Sequence, residues 1–196
     1  MSVALDSQAL DQIFREAHTA GAFTDEPVTD EQLQAIYDLV KFGPTAFNQS
    51  PLRITLVRSD EARARLLPLL AEGNRAKTGA APLVAILSAD NEFHEELPRL
   101  FPAFPQAADL FFGERPVRER SALLNAAMQS AYFIVGIRAL GLAAGPMNGM
   151  DHAGIQKEFL DDDHTPFMVV NIGQPGENAY YPRSPRLAYD EVVTTI

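Results

Sequence analysis

The sequence contains no cysteine. That removes disulfides, thiolate nucleophiles and cysteine metal sites together, and it is compatible with a reducing cytoplasm. Basic residues are also scarce. There are 16 Lys and Arg against 26 Asp and Glu, a formal net charge of -10. Such a balance argues against nucleic acid, whose binding rests on clustered cations, and against anionic membrane surfaces. No long apolar run occurs. The most continuous stretch, residues 131–142, is broken by Arg138 and too short to span a bilayer. The first residues, with Asp6, Gln8 and Asp11, have neither the basic start nor the apolar core of a signal peptide. A soluble cytoplasmic protein is expected.

Several chemical signatures are missing too. No G-x-G-x-x-G follows a strand pattern and no G-x-x-x-x-G-K is present, which argues against a Rossmann dinucleotide domain and a P-loop enzyme. His18, His94, His152 and His164 show no metal-ligand spacing, and there is no G-x-S-x-G elbow. Asp161-Asp162-Asp163 lacks the EF-hand pattern and reads as a solvated loop.

What is present describes an ordinary globule of 196 residues, most simply one domain spanning 1–196, able to bury roughly 70% of its unfolded surface. Leu10, Ile13, Phe14 and Ala17 form one apolar stripe of a first helix. Thr29-Asp30-Glu31-Gln32 is a capping box ahead of a second stripe, Leu33, Ile36, Tyr37 and Val40. Residues 53–58 read as a strand and 60–71 as a helix with Pro68 inside it. Residues 83–88 and 167–172 are short apolar runs typical of strands buried on both faces. The longest helical candidate is 117–140. Leu123, Leu124, Met128, Tyr132, Val135 and Leu140 surround it, so burial is expected, in the domain core or against a second subunit. Its small residues, among them Ala126, Ser130 and Gly136, allow another helix to approach closely. Residues 90–116 interleave five Phe with prolines, which suits either a connection pinned by its aromatics or a lid over a pocket. The class is α/β or α+β.

Four segments carry chemistry. Residues 43–51, Gly-Pro-Thr-Ala-Phe-Asn-Gln-Ser-Pro, crowd two prolines, a hydroxyl and two amides into one turn. Pro44 ends the preceding helix and Pro51 predicts an extended Ser50. Neutral amides on a stiff loop suit the edge of a heteroaromatic ring. Asn74 and Lys77 are three apart and share one side of a helical turn, an amide beside a cation; a solvated Lys at a helix end explains the pair equally well. Gly145-Pro146-Met147-Asn148-Gly149 reads as a turn through which backbone can pass close to a ligand, with Asp151 capping the next helix. Arg183 and Arg186 bring two guanidiniums together near the C-terminus, where they suit a phosphate or pair with Asp190 and Glu191.

The first of these segments resembles the P-S-x-x-N-x-Q-P segment of the nitroreductase family of FMN enzymes, through Pro44, Thr45, Asn48 and Pro51, with Ser50 in place of Gln. The other three follow in family order. The resemblance implies an α+β nitroreductase-like FMN-binding fold: a central mixed sheet flanked by helices in an intertwined homodimer, with FMN at the subunit interface. NADH or NADPH would be the electron donor, and hydride would pass by a ping-pong cycle through flavin N5 to a small-molecule acceptor. It further implies that Asn74 and Lys77 contact the ring and that Asn148 or Gly149 in the G-P-x-x-G turn, with Pro146 and Met147 beside them, offers a backbone N–H to N5. Met147 would also help shape the acceptor pocket, Pro44, Thr45 and Asn48 would reach the flavin across the interface, and Arg183 and Arg186 would hold the phosphate. His18 and Thr19 would join them from the N-terminal R-R-S-x-R segment, although two of its basic positions have become Ala17 and Gly21. Leu97-Pro98-Arg99-Leu100-Phe101-Pro102 and Pro185-Arg186-Leu187 resemble the branch that reduces malonic semialdehyde to 3-hydroxypropanoate, with nitroaromatics or quinones as the other acceptor class. Arg53 or Arg99 would then hold the substrate carboxylate.

Overall fold

The computed structural model describes residues 4–196. Helix α1 (Ser7–Leu10) runs into a π turn at Asp11–Arg15, and α2 is Asp30–Val40. Strand β1 (Leu52–Val57) precedes α3 (Asp60–Leu66), α4 (Glu72–Ala80) and β2 (Leu83–Asp90). Short helices α5 (Leu97–Leu100) and α6 (Ala107–Phe111) lead to the long α7 (Arg115–Ala139). Then come β3 (Ala143–Met147), α8 (His152–Phe159), β4 (His164–Gly173) and α9 (Tyr189–Val192).

The strands form one sheet in the order β1-β2-β4-β3, and every neighbouring pair is antiparallel. The expected α+β class holds, but the expected mixed sheet does not: the four described strands contain no parallel pair. The apolar runs of β2 and β4 reflect coverage of both faces, which helices supply here without parallel strands. One face carries a core with Ile36 of α2 and Phe133 and Ile137 of α7. The other packs Leu66 of α3 and Ile155 of α8 against Val84, Ile86 and Val169.

Local chemistry explains the helix boundaries. Thr29 Oγ1 accepts from the Gln32 N–H at 3.2 Å, and Gln32 Oε1 accepts from the Thr29 N–H at 2.9 Å, so two exposed donors at the start of α2 are satisfied reciprocally. Asp151 caps α8 through the Gly154 N–H. Helix α3 stops at Leu66, and Pro68 lies in the tighter turn Leu67–Leu69, earlier than the predicted end at 71. The π turn after α1 throws the N-terminal stripe out of phase, leaving Phe14 exposed.

Helix α7 is not enclosed by its own chain. Its large apolar residues Leu123, Leu124, Met128 and Tyr132 are exposed on this chain, whereas Ala122, Ala126, Ser130, Phe133, Gly136 and Ile137 face inward. The small residues let α2 close in. A Cβ at Gly136 would lie 2.4 Å from Val40 Cγ1. Residues 90–116 are pinned by their aromatics: Phe93, Leu97, Ala107 and Phe112 are buried against Ala122 and Ala126.

Candidate functional site

The N-terminal segment reaches the sheet edge through main-chain hydrogen bonds. The Ala20 N–H donates to the Ala144 carbonyl of β3 at 3.0 Å, the Gly21 N–H to Ala179 at 2.8 Å and the Thr24 N–H to Gln174 at 3.0 Å. A Cβ at Gly145 would stand 2.7 Å from the Ala20 carbonyl, so this approach needs glycine there. Pro146 is tolerated beside it because β3 is the edge strand. Gly145, Pro146 and Met147 therefore belong to a strand, and the predicted turn begins only at Asn148.

Helix α4 sits against that strand. The Thr78 hydroxyl donates to Met147 Sδ at 3.6 Å and accepts from the buried Asn171 amide at 3.2 Å. One turn earlier the Asn74 amide donates to the Gly149 carbonyl at 3.0 Å, and the Ala71 N–H reaches the same oxygen at 2.9 Å. Asn74 and Thr78 thus anchor the helix, leaving Lys77 to face a cleft of about 660 Å³. Met147 is buried in the apolar cluster with Ile155 and Val169 and lines neither this cleft nor the one beside Asn48.

The cleft brings together five of the expected residues: His18, Thr19, Lys77, Arg183 and Arg186. It adds one that the sequence reading treated only as an interruption of an apolar run, Arg138 in the last turn of α7. Among the described residues no Asp or Glu lines it. Among the described residues, none of Lys77, Arg138, Arg183 or Arg186 forms an ion pair; the salt bridges lie elsewhere. Arg183 donates to the carbonyls of Arg15 at 2.6 Å and Ala17 at 3.1 Å, and so buttresses the N-terminal segment. Arg186 donates to the carbonyls of Ser184 and Pro185. The alternative pairing of these arginines with Asp190 and Glu191 is not formed, because Glu191 caps the Ala188 N–H. Burial lowers the basicity of Arg138 from its ordinary value; Tyr180 opposes that shift and the Arg183 charge adds to it. The His18 and Tyr180 rings lie 5.4 Å apart.

Pro44, Thr45 and Asn48 are not in this cleft. Asn48 lines a second one, of about 460 Å³, together with Arg53, Arg99 and Gln129. The loop beside it is held from α7 by residues four apart: Ser121 bonds the buried Gln49 amide, Asn125 accepts from the Ala46 N–H at 2.8 Å, and Gln129 accepts from the Leu52 N–H at 2.9 Å. Phe47, Asn48 and Ser50 have φ of +52°, +51° and +44°. Ser50 is therefore not extended as expected before Pro51. The Ser50 N–H donates to Thr45 Oγ1 at 3.2 Å and its carbonyl accepts from Arg53 at 3.0 Å, which offsets the strain. Asn148 is exposed and Gly149 partly buried outside both clefts.

Fold and site together define an α+β protein with an acid-free cationic cleft at one sheet edge. A model of the nitroreductase family matches residues 15–174, and the chain belongs to that family. It is 76% identical to a Streptomyces coelicolor protein and 74% identical to one from Streptomyces griseus subsp. griseus, each over 196 residues and 100% of both chains. Both relatives are named "Putative NADH dehydrogenase/NAD(P)H nitroreductase". The fold is similar to a crystal structure from Bacillus subtilis described as a nitroreductase, with TM-score 0.88 and 20% identity over 97% of this chain and 100% of that one. It is also similar to one from Exiguobacterium sibiricum in complex with FMN, with TM-score 0.84 and 19% identity over 100% and 99% of the two chains. Among the described residues no helix is long and apolar enough to cross a membrane.

Proposed function

We propose that this protein is an FMN-dependent NAD(P)H oxidoreductase acting as a homodimer. The observation that carries the reading is the cleft of unpaired cations, without an acid, in a chain of net charge -10. Paired guanidiniums suit a phosphate monoester, and the donor set fits the phosphate end of FMN. The names of the Streptomyces relatives and the FMN complex of the Exiguobacterium protein support the same choice.

When bound, FMN supplies two-electron chemistry, taking hydride from a nicotinamide and passing it to an acceptor in a ping-pong cycle. The chain's own residues bind and orient. Arg183, Arg186, His18 and Thr19 hold the phosphate. The Lys77 ammonium, fixed by the anchoring of Asn74 and Thr78, stabilises negative charge at the pyrimidine edge of the ring. Asn74 acts on the 148–149 turn through the Gly149 carbonyl, keeping the Asn148 and Gly149 backbone in place. Pro44, Thr45 and Asn48 serve the site of the second copy. Two features support that dimer: the exposed face of α7, where Leu124 is 63% exposed, and the exposed Leu187, Tyr189 and Val192 near the C-terminus.

The preferred acceptor is a small aldehyde acid, malonic semialdehyde, reduced to 3-hydroxypropanoate; Arg53 or Arg99, which line the cleft with Asn48, would meet its carboxylate. The second reading, a broader nitro- or quinone reductase, draws on the pairing of both arginines, with Asp90 at 2.5 Å and Glu96 at 2.6 Å. Purified protein is expected to bind FMN, run as a dimer and lose its yellow colour anaerobically with NADH or NADPH. A colourless monomer indifferent to FMN refutes the reading, and bound flavin that fails to bleach leaves a non-catalytic flavin carrier. Rates with malonic semialdehyde, nitrofurazone and a quinone, measured side by side, choose the acceptor.

A further inference from the structure

Two basic positions are missing from the N-terminal segment, where Ala17 and Gly21 stand, yet the cleft is not short of positive charge. The difference comes from another part of the chain. We propose that Arg138, at the far end of α7, supplies the phosphate-binding charge that residues 17 and 21 lack, an inference that rests on the FMN reading above.

The arrangement around Arg138 is otherwise hard to account for. Its Nε is buried and has no hydrogen-bond partner. A buried guanidinium N–H without an acceptor is costly, and such groups normally find a carboxylate or carbonyl. None is engaged here: among the described residues no acid lines the cationic cleft, Glu16, which lines a smaller cleft with Arg138, makes no ion pair with it, and Arg183 adds a like charge nearby. Arg138 is not needed to cap its own helix either, because the Gln12 amide donates to the Arg138 and Ala139 carbonyls at 2.9 and 3.1 Å. A cation at a helix C-terminus is favoured by the peptide dipoles. That accounts for the charge, but not for the N–H left without an acceptor. An anion in the cleft would meet the part of the Arg138 guanidinium that lines it, give that unpaired charge a partner and relieve the repulsion between the two guanidiniums.

The test compares FMN with riboflavin, which has the same ring and no phosphate, by fluorescence titration of apoprotein. Arg138→Gln is expected to weaken FMN binding about tenfold to a hundredfold, the range for one charge-assisted hydrogen bond, and to leave riboflavin binding unchanged. In phosphate-free buffer the apo variant is expected to melt no lower than the natural protein, since a partly buried, unpaired charge has been removed. Inorganic phosphate is expected to raise the Tm of the natural protein more than that of the variant. Gly21→Arg in the Arg138→Gln background is expected to restore the preference for FMN; a Cβ at Gly21 meets only ordinary contacts, at 3.5 Å from Tyr181 and 3.7 Å from the Ala179 carbonyl. The proposal is overturned if FMN and riboflavin weaken in parallel, if FMN affinity does not move, if a lower Tm comes with an unchanged FMN-to-riboflavin ratio, or if Gly21→Arg restores nothing. Should the natural protein bind no FMN, the functional reading fails separately, and the phosphate-dependent Tm shift still decides the role of Arg138.

Discussion

The two clefts on this chain treat charge in opposite ways. The one between the N-terminal segment, α4 and residues 181–186 leaves four cations without a counter-ion. The one beside the 45–50 loop pairs each of its own: Lys41 with Asp38 at 2.6 Å, Arg53 with Asp90, and Arg99 with Glu96. The first is prepared for an anion, and the second presents largely neutral hydrogen-bonding groups on a strained loop. Where acids are placed, more than how many cations are present, distinguishes them.

The sharpest way to break that contrast is to remove charge from the first cleft. Replacing Arg183 and Arg186 together by Ala is expected to weaken FMN binding by about 3–6 kcal/mol, enough to shed it on dialysis. A double variant that stays yellow would end the contrast. A smaller effect is expected at the second cleft. Asn125→Ala leaves the Ala46 N–H without its acceptor and releases the loop, so stability should fall by about 1–3 kcal/mol in denaturant titration. Apo binding of inorganic phosphate should be untouched, because Asn125 does not line the cationic cleft. Lys77→Ala sharpens the account within the first cleft. Anaerobic reduction is expected to slow about tenfold, with a smaller loss of FMN affinity, since its charge acts most on the reduced ring. Equal reduction rates would contradict that role.

The smallest effect belongs to a pair distant from both sets of cations. The Asp161 carboxylate lies below its ordinary pKa, chiefly because of the hydrogen bond with His164. A depressed carboxylate contributes stability above its unfolded pKa and loses it as pH falls through the lowered folded value. Asp161→Asn should therefore flatten the acid side of the stability curve. As the side chain is 66% exposed, the change should be only about a few tenths of a kcal/mol.

Much of the fold is legible in local stretches of the sequence. The Thr29–Gln32 box marked the start of α2, the β-branched and aliphatic runs marked β1, β2 and β4, and Asp151 marked α8. These are short-range effects, carried by residues within one turn or one strand. Five cleft residues were legible for a similar reason, since each stood in a recognisable local segment. Arg138 was not. Along the chain it looks like a break in an apolar stretch, and only the closeness of Arg183, 45 positions later, makes it part of a cluster. Met147 differs the other way: its local segment reads as a turn, while it ends strand β3, and Thr78 and Asn171 draw β3 and α4 together around it.

The sequence by itself determined the starts of α2 and α8, the strands β1, β2 and β4, which turns carry polar groups, and that this acidic chain has few cations to gather. Only the tertiary structure decided the antiparallel strand directions, the inward face of α7 and the membership of the cationic cleft. The physical reason is range. Capping and periodicity act over a few residues, whereas pairing, close helix approach and the grouping of like charges depend on which distant segments pack side by side.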